Sequence, residues 1–192
     1  MVGQGGERAK RLTRDERERR VLDTAAELFY ARGVHEVGMD ELVRATGLGK
    51  ATVYRLYPTK AALVGAYLER LAASILEQID TDIAAHDGDP EAAVRAILTA
   101  IADDLARPGF RGCAFNNASI EFDDPAHPAR VAAREYRAAL RDRLVALVGP
   151  ERGAQLALIV DGMYTSAAHL GPDGPAASGL ALAEALLRGA RA

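Results

Sequence analysis

Tryptophan is absent from the 192 residues, cysteine occurs once, and Phe and Tyr together number ten. A lone thiol, Cys113, excludes an intramolecular disulfide and a multi-cysteine zinc site, and its ordinary reading is a small buried apolar residue. No apolar run approaches the roughly 18–20 residues that a membrane span requires. The polar opening MVGQGGERAKRLTRDERERR has no apolar stretch of the secretory kind, so the expected location is the cytoplasm. No segment alternates apolar and polar residues as a half-buried strand does, and no Asn-Gly hairpin signal occurs. Lysine stands only at 10, 50 and 60. Residues 1–60 carry 12 Lys and Arg against 9 Asp and Glu, and the remainder carries 12 against 18. A basic end that meets a polyanion and an acidic remainder that does not would account for that asymmetry.

What is present is apolar periodicity with regular punctuation. Hydrophobic residues make up 49% of the chain, enough to bury a sizeable core. After an expected flexible basic tail over residues 1–12, Thr13 and Glu16 stand at capping-box spacing, and Val21, Leu22, Ala25, Leu28 and Phe29 share one helical face up to Gly33. Short helices are expected from Asp40 to Thr46 and from Lys50 to Leu56, before Pro58 ends the run. Thr59 caps a long helix over about 60–84. Asp89 and Pro90 open another, stopped at 107–109. A short helix is expected in GCAFNNASIEF, then a long one to Val148, then two more over about 151–170 and 176–190. The expected fold is all-α with about nine helices.

Two short helices joined by TGLG, the second basic and aromatic, make a helix-turn-helix. Gly47 suits the tight turn between them. The second helix of such a motif lies in the DNA major groove. Lys50, Thr52 and Arg55 share its exposed face, while Val53 and Leu56 pack inward. Tyr54 and Tyr57 are placed to send hydroxyls to phosphates, and Lys60 adds a cation at a helix N-terminus that already favours them.

Residues 20–66, with VLDTAAELFYARG followed by DELVRATGLGKATVYRLYPTKAALV, resemble the DNA-binding region of the tetracycline-repressor (TetR) family over about a quarter of the chain. RGCAFNNASIEF followed by DPAHPAR is similar, more loosely, to the ligand domain of one TetR subgroup. The resemblance implies a DNA-binding part at 13–59 and a helical ligand-binding and dimerisation part at 60–192. It implies contacts to an operator from Lys50, Ala51, Thr52, Tyr54, Arg55, Tyr57 and Lys60. Gly38 and Gly49 stand where the family often has Ser or Thr, leaving backbone N–H groups for that role. It further implies a homodimer joined by the last two helices, reading an inverted repeat, and a small-molecule effector that releases a repressor from DNA. Leu180, Ala183, Leu186 and Leu187 of the last helix, with Met163, are the expected contact to the second copy. The expected effector site is Phe110, Cys113, Phe115, Asn116, Asn117, Tyr136, Met163 and Tyr164. No charged residue lies between Gly112 and Ile120, so the expected effector is neutral or weakly polar.

Other chemistries fit less well. GLGKAT has Ala51 where a phosphate loop needs Ser or Thr, and no strand precedes it. Asp123, Asp124 and His127 read as a polar loop with a helix cap rather than a metal site, and His35, His86 and His169 are isolated. No nucleophile-elbow text occurs. The expectation is therefore no enzyme activity and no cofactor. The alternative to a regulator is a helical small-molecule-binding or interaction protein without DNA binding.

Overall fold

The computed structural model describes residues 12–189. Arg8, Lys10 and Arg11 of the expected tail lie outside them. Among the described residues there are nine α-helices and no strand. They are α1 (Arg14–Arg32), α2 (Met39–Thr46), α3 (Lys50–Leu56), α4 (Lys60–Ala85), α5 (Pro90–Ala106), α6 (Ala114–Ser119), α7 (Pro128–Val148), α8 (Pro150–Leu170) and α9 (Ser178–Arg188). The described helices include none long and apolar enough to cross a membrane.

Local chemistry sets most of these boundaries. Thr13 Oγ1 accepts from the Glu16 amide at 3.2 Å, and the Glu16 carboxylate accepts from the Thr13 amide at 2.7 Å, so two of the helix's orphan donors are satisfied. Thr59 and Asp89 cap α4 and α5 through their side chains, and Pro opens α5, α7 and α8. The expected last helix is shorter than its periodicity suggests. Pro175–Ala177 form a separate 3-10 turn, and α9 begins at Ser178.

The buried apolar residues form one cluster running from Val21 in α1 to Leu187 in α9, plus a small satellite of Leu105, Met163, Ala167 and Ala176. The first turns of α4 hold the two ends of the cluster together. Leu63, Val64 and Leu68 are wholly buried, and the Tyr67 ring lies 6.0 Å from that of Phe29 in α1. Farther along, α7 runs against α4, α5, α6 and α8.

Gly47 and Gly153 are among the glycines that geometry requires. Gly47, in the α2–α3 turn, has φ +64°, a left-handed conformation that costs other residues about 1 kcal/mol or more. Gly153 lies where α8 crosses α7, and a Cβ there would sit 2.5 Å from the Val145 nitrogen, a backbone atom that cannot swing away. Replacing Gly153 by Ala is expected to lower the unfolding free energy by about 1–3 kcal/mol, the usual cost of overpacking. Urea denaturation measures this, and a loss within error of zero would contradict so close an approach.

Candidate DNA-binding surface and effector cavities

Three side chains fix α3 against the rest of the helix-turn-helix. Val53 is wholly buried, Leu56 is half-buried, and Thr46 at the end of α2 is buried with its hydroxyl donating to the Val43 carbonyl and accepting from the Leu48 amide. The opposite surface of α3 is left to solvent: Lys50, Ala51 and Arg55 are exposed, with Thr52 and Tyr54 half-buried beside them. Lys50 Nζ is 2.8 Å from Asp40 Oδ1 and 5.6 Å from the centre of the Tyr54 ring. Both partners of that ion pair are well exposed, so water and salt screen it and the ammonium is exchangeable. Between α3 and the first turns of α1 is a hollow of about 260 Å³ lined by Arg14, Arg17, Thr52, Arg55 and Leu56. Arg17 belongs to this cationic surface although the sequence reading passed over it. Its spacing from Arg14, three residues along one helix, was the available signal.

The other expected DNA contacts sit differently. The Tyr57 ring is buried and its hydroxyl donates to Glu18 Oε1 at 3.3 Å; burial and the nearby Glu18 charge push that hydroxyl up to about 12. Lys60 Nζ donates to the His35 and Val37 carbonyls at 3.4 and 3.1 Å. Both side chains are occupied within the protein rather than pointed outward. Gly38 and Gly49 are the N-caps of α2 and α3, both with ordinary negative φ and no side-chain capping bond.

Two cavities flank α4. The first, about 330 Å³, is lined by Tyr30, Tyr67, Leu71, Cys113, Phe115 and Tyr164 among others, Glu27 and Arg107 included. The second, about 340 Å³, is lined by Gln78, Asp82, Ile97, Ile101, Asp104 and Tyr136, and shares Ile75 with the first. Tyr67 and Tyr136 are buried, yet neither hydroxyl has a hydrogen-bond partner among the described residues. Burial pushes the Tyr67 hydroxyl up to about 12 and that of Tyr136 higher still, so both remain neutral donors. Tyr164 differs, because its hydroxyl donates to Asp104 at 3.1 Å. Burial also raises the Cys113 thiol, which keeps it protonated.

Of the expected effector residues, the structure brings Cys113, Phe115 and Tyr164 to the first cavity and Tyr136 to the second. Phe110 stands behind Tyr164, ring centres 6.0 Å apart. Asn116 and Asn117 do not line either cavity. Asn116 Oδ1 accepts from Arg137 Nη2 at 2.6 Å, and Asn117 Nδ2 donates to the Arg111 carbonyl at 2.8 Å, so each amide is engaged within the protein. Met163 packs on Gly179, where even a Cβ would lie 2.3 Å from its Cγ. Tyr67 was missed, since within an apolar helix face its ring reads as core.

A polar seam joins these cavities to the helix-turn-helix. Glu121, just after α6, accepts from the amides of Val34 (2.8 Å) and His35 (2.6 Å) and pairs with His35 Nδ1 (2.8 Å). The Tyr30 hydroxyl donates to the Gly112 carbonyl at 3.2 Å and accepts from the Arg111 amide at 2.8 Å. The rings of His35, Phe122 and His127 stack in series. His127 also caps α7, accepting at Nδ1 from the Ala129 amide.

This is the geometry of a helix-turn-helix protein with an attached helical cavity. A family model described as bacterial regulatory proteins, tetR family, matches residues 21–67. SCO4454, a TetR-family transcriptional regulator from Streptomyces coelicolor, is 32% identical, with a TM-score of 0.85 over 91% of this chain and 96% of its own. The chain belongs to the TetR family of transcriptional regulators. The reduced form of NemR from E. coli shares the fold, at 19% identity and a TM-score of 0.80 over 88% of this chain and 95% of that one. FasR of Mycolicibacterium smegmatis, named a transcriptional activator, is 41% identical over 66 residues, 34% of this chain and 30% of FasR. EthR of the same species is 28% identical over 90 residues, 47% of this chain and 42% of EthR. The match thus spans less than half the length of these curated relatives.

The seam makes a prediction of its own. Burial pushes the Glu121 carboxyl up, but the bonds from Val34, His35 and the His35 ring outweigh it and hold it below its ordinary value. Hydrogen bonds to a charged group contribute about 1.5–3 kcal/mol each, so Glu121→Ala is expected to cost about 2 kcal/mol and to speed hydrogen exchange at the Val34 and His35 amides. A depressed folded-state value means that the contribution is present above the unfolded carboxyl's titration near pH ~4.3 and is lost as pH falls through the lower folded value. Stability curves of wild type and variant should therefore converge in acid. Curves that run parallel across that window would show Glu121 to be ornamental.

Proposed function

We propose that the chain is a sequence-specific, DNA-binding transcriptional regulator of the cytoplasm. It acts as a homodimer on an inverted-repeat operator and is released as a repressor when a small molecule occupies the cavities beside α4. The observation that carries the reading is the exposed cationic surface of α3, with Lys50, Thr52 and Arg55 beside Arg14 and Arg17. In this reading residues 13–59 are the DNA-binding part and 60–192 the ligand-binding and dimerisation part.

Lys50, Ala51, Thr52, Tyr54 and Arg55 face the major groove, and the backbone amides at the Gly38 and Gly49 caps meet phosphates. Tyr57 and Lys60 act mainly by positioning, the first bracing α3 on α1 through Glu18, the second holding the loop ahead of α2. The effector is largely apolar and neutral, with a polar atom for the free hydroxyls of Tyr67 and Tyr136. Of the charges that line the two cavities, Arg107 is paired with Asp104, while Glu27 in the first and Asp82 in the second add carboxylates that a neutral effector must leave to water.

Fluorescence anisotropy with a genomic fragment pool, then with the inverted repeat it yields, tests the DNA reading. Arg55→Ala should cost about 1–3 kcal/mol and relax specificity, whereas Arg14→Ala should weaken all sequences alike and flatten the salt dependence by about one unit of slope. Asp40→Asn, which frees Lys50, should tighten binding. Absence of any binding at low salt would overturn the proposal.

The dimer reading rests on a surface left uncovered. The α9 face carrying Gly179, Ala183 and Leu187 is buried within the protomer, so Ala183, Leu187 and Met163 are not available to a partner, contrary to expectation. Outward stand Leu158 at 72% exposure and Leu182 at 58%, with Gly162, Thr165, Ala181 and Ala185 beside them. Being exposed in the single chain, Leu158 can be changed without disturbing its core. Leu158→Glu is expected to give a folded monomer, because burying an unpaired charge costs several kcal/mol. Light scattering that finds wild type monomeric at micromolar concentration would sink the claim.

A further inference from the structure

Away from both cavities, α7 carries Arg130, Arg134, Arg137 and Arg141, spaced so that all four fall on one helix face over about 16 Å. They line an open groove of about 540 Å³ whose floor is apolar, with Ala133, Leu140 and Ala157, and whose one lining carboxylate is Asp161. The remainder of the chain beyond residue 60 is acidic, so this groove inverts the local sign.

The guanidinium groups are unequally engaged. Arg137 bridges α6, α7 and α8, pairing with Asp161 and donating to Asn116. Arg130 donates through Nη1 to the Phe122 carbonyl, and Arg141 is held only by its exposed neighbour Asp142. Arg134 has no hydrogen bond or ion pair with any described residue. Three forks therefore have donors to spare over an apolar floor. Planar, always-charged forks of this kind match the oxygens of a phosphate in pairs.

We propose that this groove is a second ligand site, separate from the cavities beside α4, that takes a phosphorylated small molecule with an apolar body. The phosphate lies between Arg134 and Arg141, with Arg130 adding positive charge at the end of the groove, and the body covers Ala133, Leu140 and Ala157. The groove reaches α6 through Ser119 in its lining and through the Arg137–Asn116 bond, and Phe115 of the same helix lines the first cavity.

The test is calorimetric titration of the full chain with phenyl phosphate, inorganic phosphate and benzyl alcohol at fixed ionic strength. The DNA-binding surface also attracts phosphate, so three proteins are compared: wild type, Arg134→Gln/Arg141→Gln, and Arg14→Gln/Arg55→Gln. The groove site predicts that phenyl phosphate binds wild type and the Arg14/Arg55 variant alike. It predicts at least tenfold weaker binding of inorganic phosphate and of benzyl alcohol, and at least a tenfold loss in the Arg134/Arg141 variant, which keeps operator binding. Equal binding to all three proteins, or loss confined to the Arg14/Arg55 variant, overturns the proposal. So does conversion of the Arg134/Arg141 variant from dimer to monomer on light scattering, which would make the groove a contact between copies. A wild type that binds phenyl phosphate but no DNA would overturn the regulator reading and leave this site standing.

Discussion

The loop between α1 and α2 has to satisfy its backbone polar groups away from any regular ladder, and the way it does so ties the molecule together. The amides of Val34 and His35 go to Glu121, from the segment after α6, and the carbonyls of His35 and Val37 go to Lys60, at the start of α4. An anion and a cation from two distant parts of the chain thus take the two kinds of backbone group in one loop. Buried backbone groups left unpaired are expensive, so the loop, and with it the entry into α2, stays where these two side chains hold it. Val34 and Val37, both buried, nail the same loop to the core from the apolar side.

The helices beyond α4 solve a different problem. With few aromatics, the chain builds close contacts from small residues: Ala129, Ala132 and Ala133 on α7, Gly153 on α8, and Gly179 under Met163. Small residues let backbones approach, and close packing leaves little room for error. Where tyrosines enter instead, at Tyr67 and Tyr136, open space remains beside α4. Aromatic walls with a few hydroxyls are the usual make-up of a small-molecule site. In the proposed reading that space holds the effector, and the two free hydroxyls give it a polarity.

What could be read from the sequence was what local chemistry decides. Thr13 with Glu16, Thr59, Asp89 and the prolines at 90 and 128 announce helix starts within a few residues of themselves, and the turn at Gly47 with its basic, aromatic sequel marks α3. What could not be read depended on partners far along the chain. Asn116 looks like a ligand group until Arg137, 21 residues away, is seen to take its oxygen. Glu121 is an ordinary surface carboxylate until the fold brings it to amides 86 and 87 residues earlier. A helix as apolar as α8 does not say which face meets its own core, so Met163 was placed on a partner while Leu158 went unnoticed. Tyr57 shows the subtler case: its ring and its hydroxyl both turn inward, the latter to Glu18, a residue of α1 that no helix-turn-helix pattern points to.

One side chain belongs to both halves of the problem. The ring of Tyr30 lines the first cavity, while its hydroxyl bridges the Gly112 carbonyl and the Arg111 amide and its backbone is part of α1. Arg107 covers the same ring at 4.8 Å. A molecule that enlarges the cavity by pushing this ring outward must either break both hydrogen bonds or carry α1 with it. Breaking them leaves the part-buried Gly112 carbonyl without its partner, whereas the exposed Arg111 amide can turn to water. A ligand shifts an equilibrium only as far as it prefers one state. For an effector in this cavity, as proposed, that preference depends on what it gains from the space Tyr30 vacates. In the proposed reading, occupancy of this cavity bears on α1 through Tyr30, and on α3 through Glu18 and Tyr57.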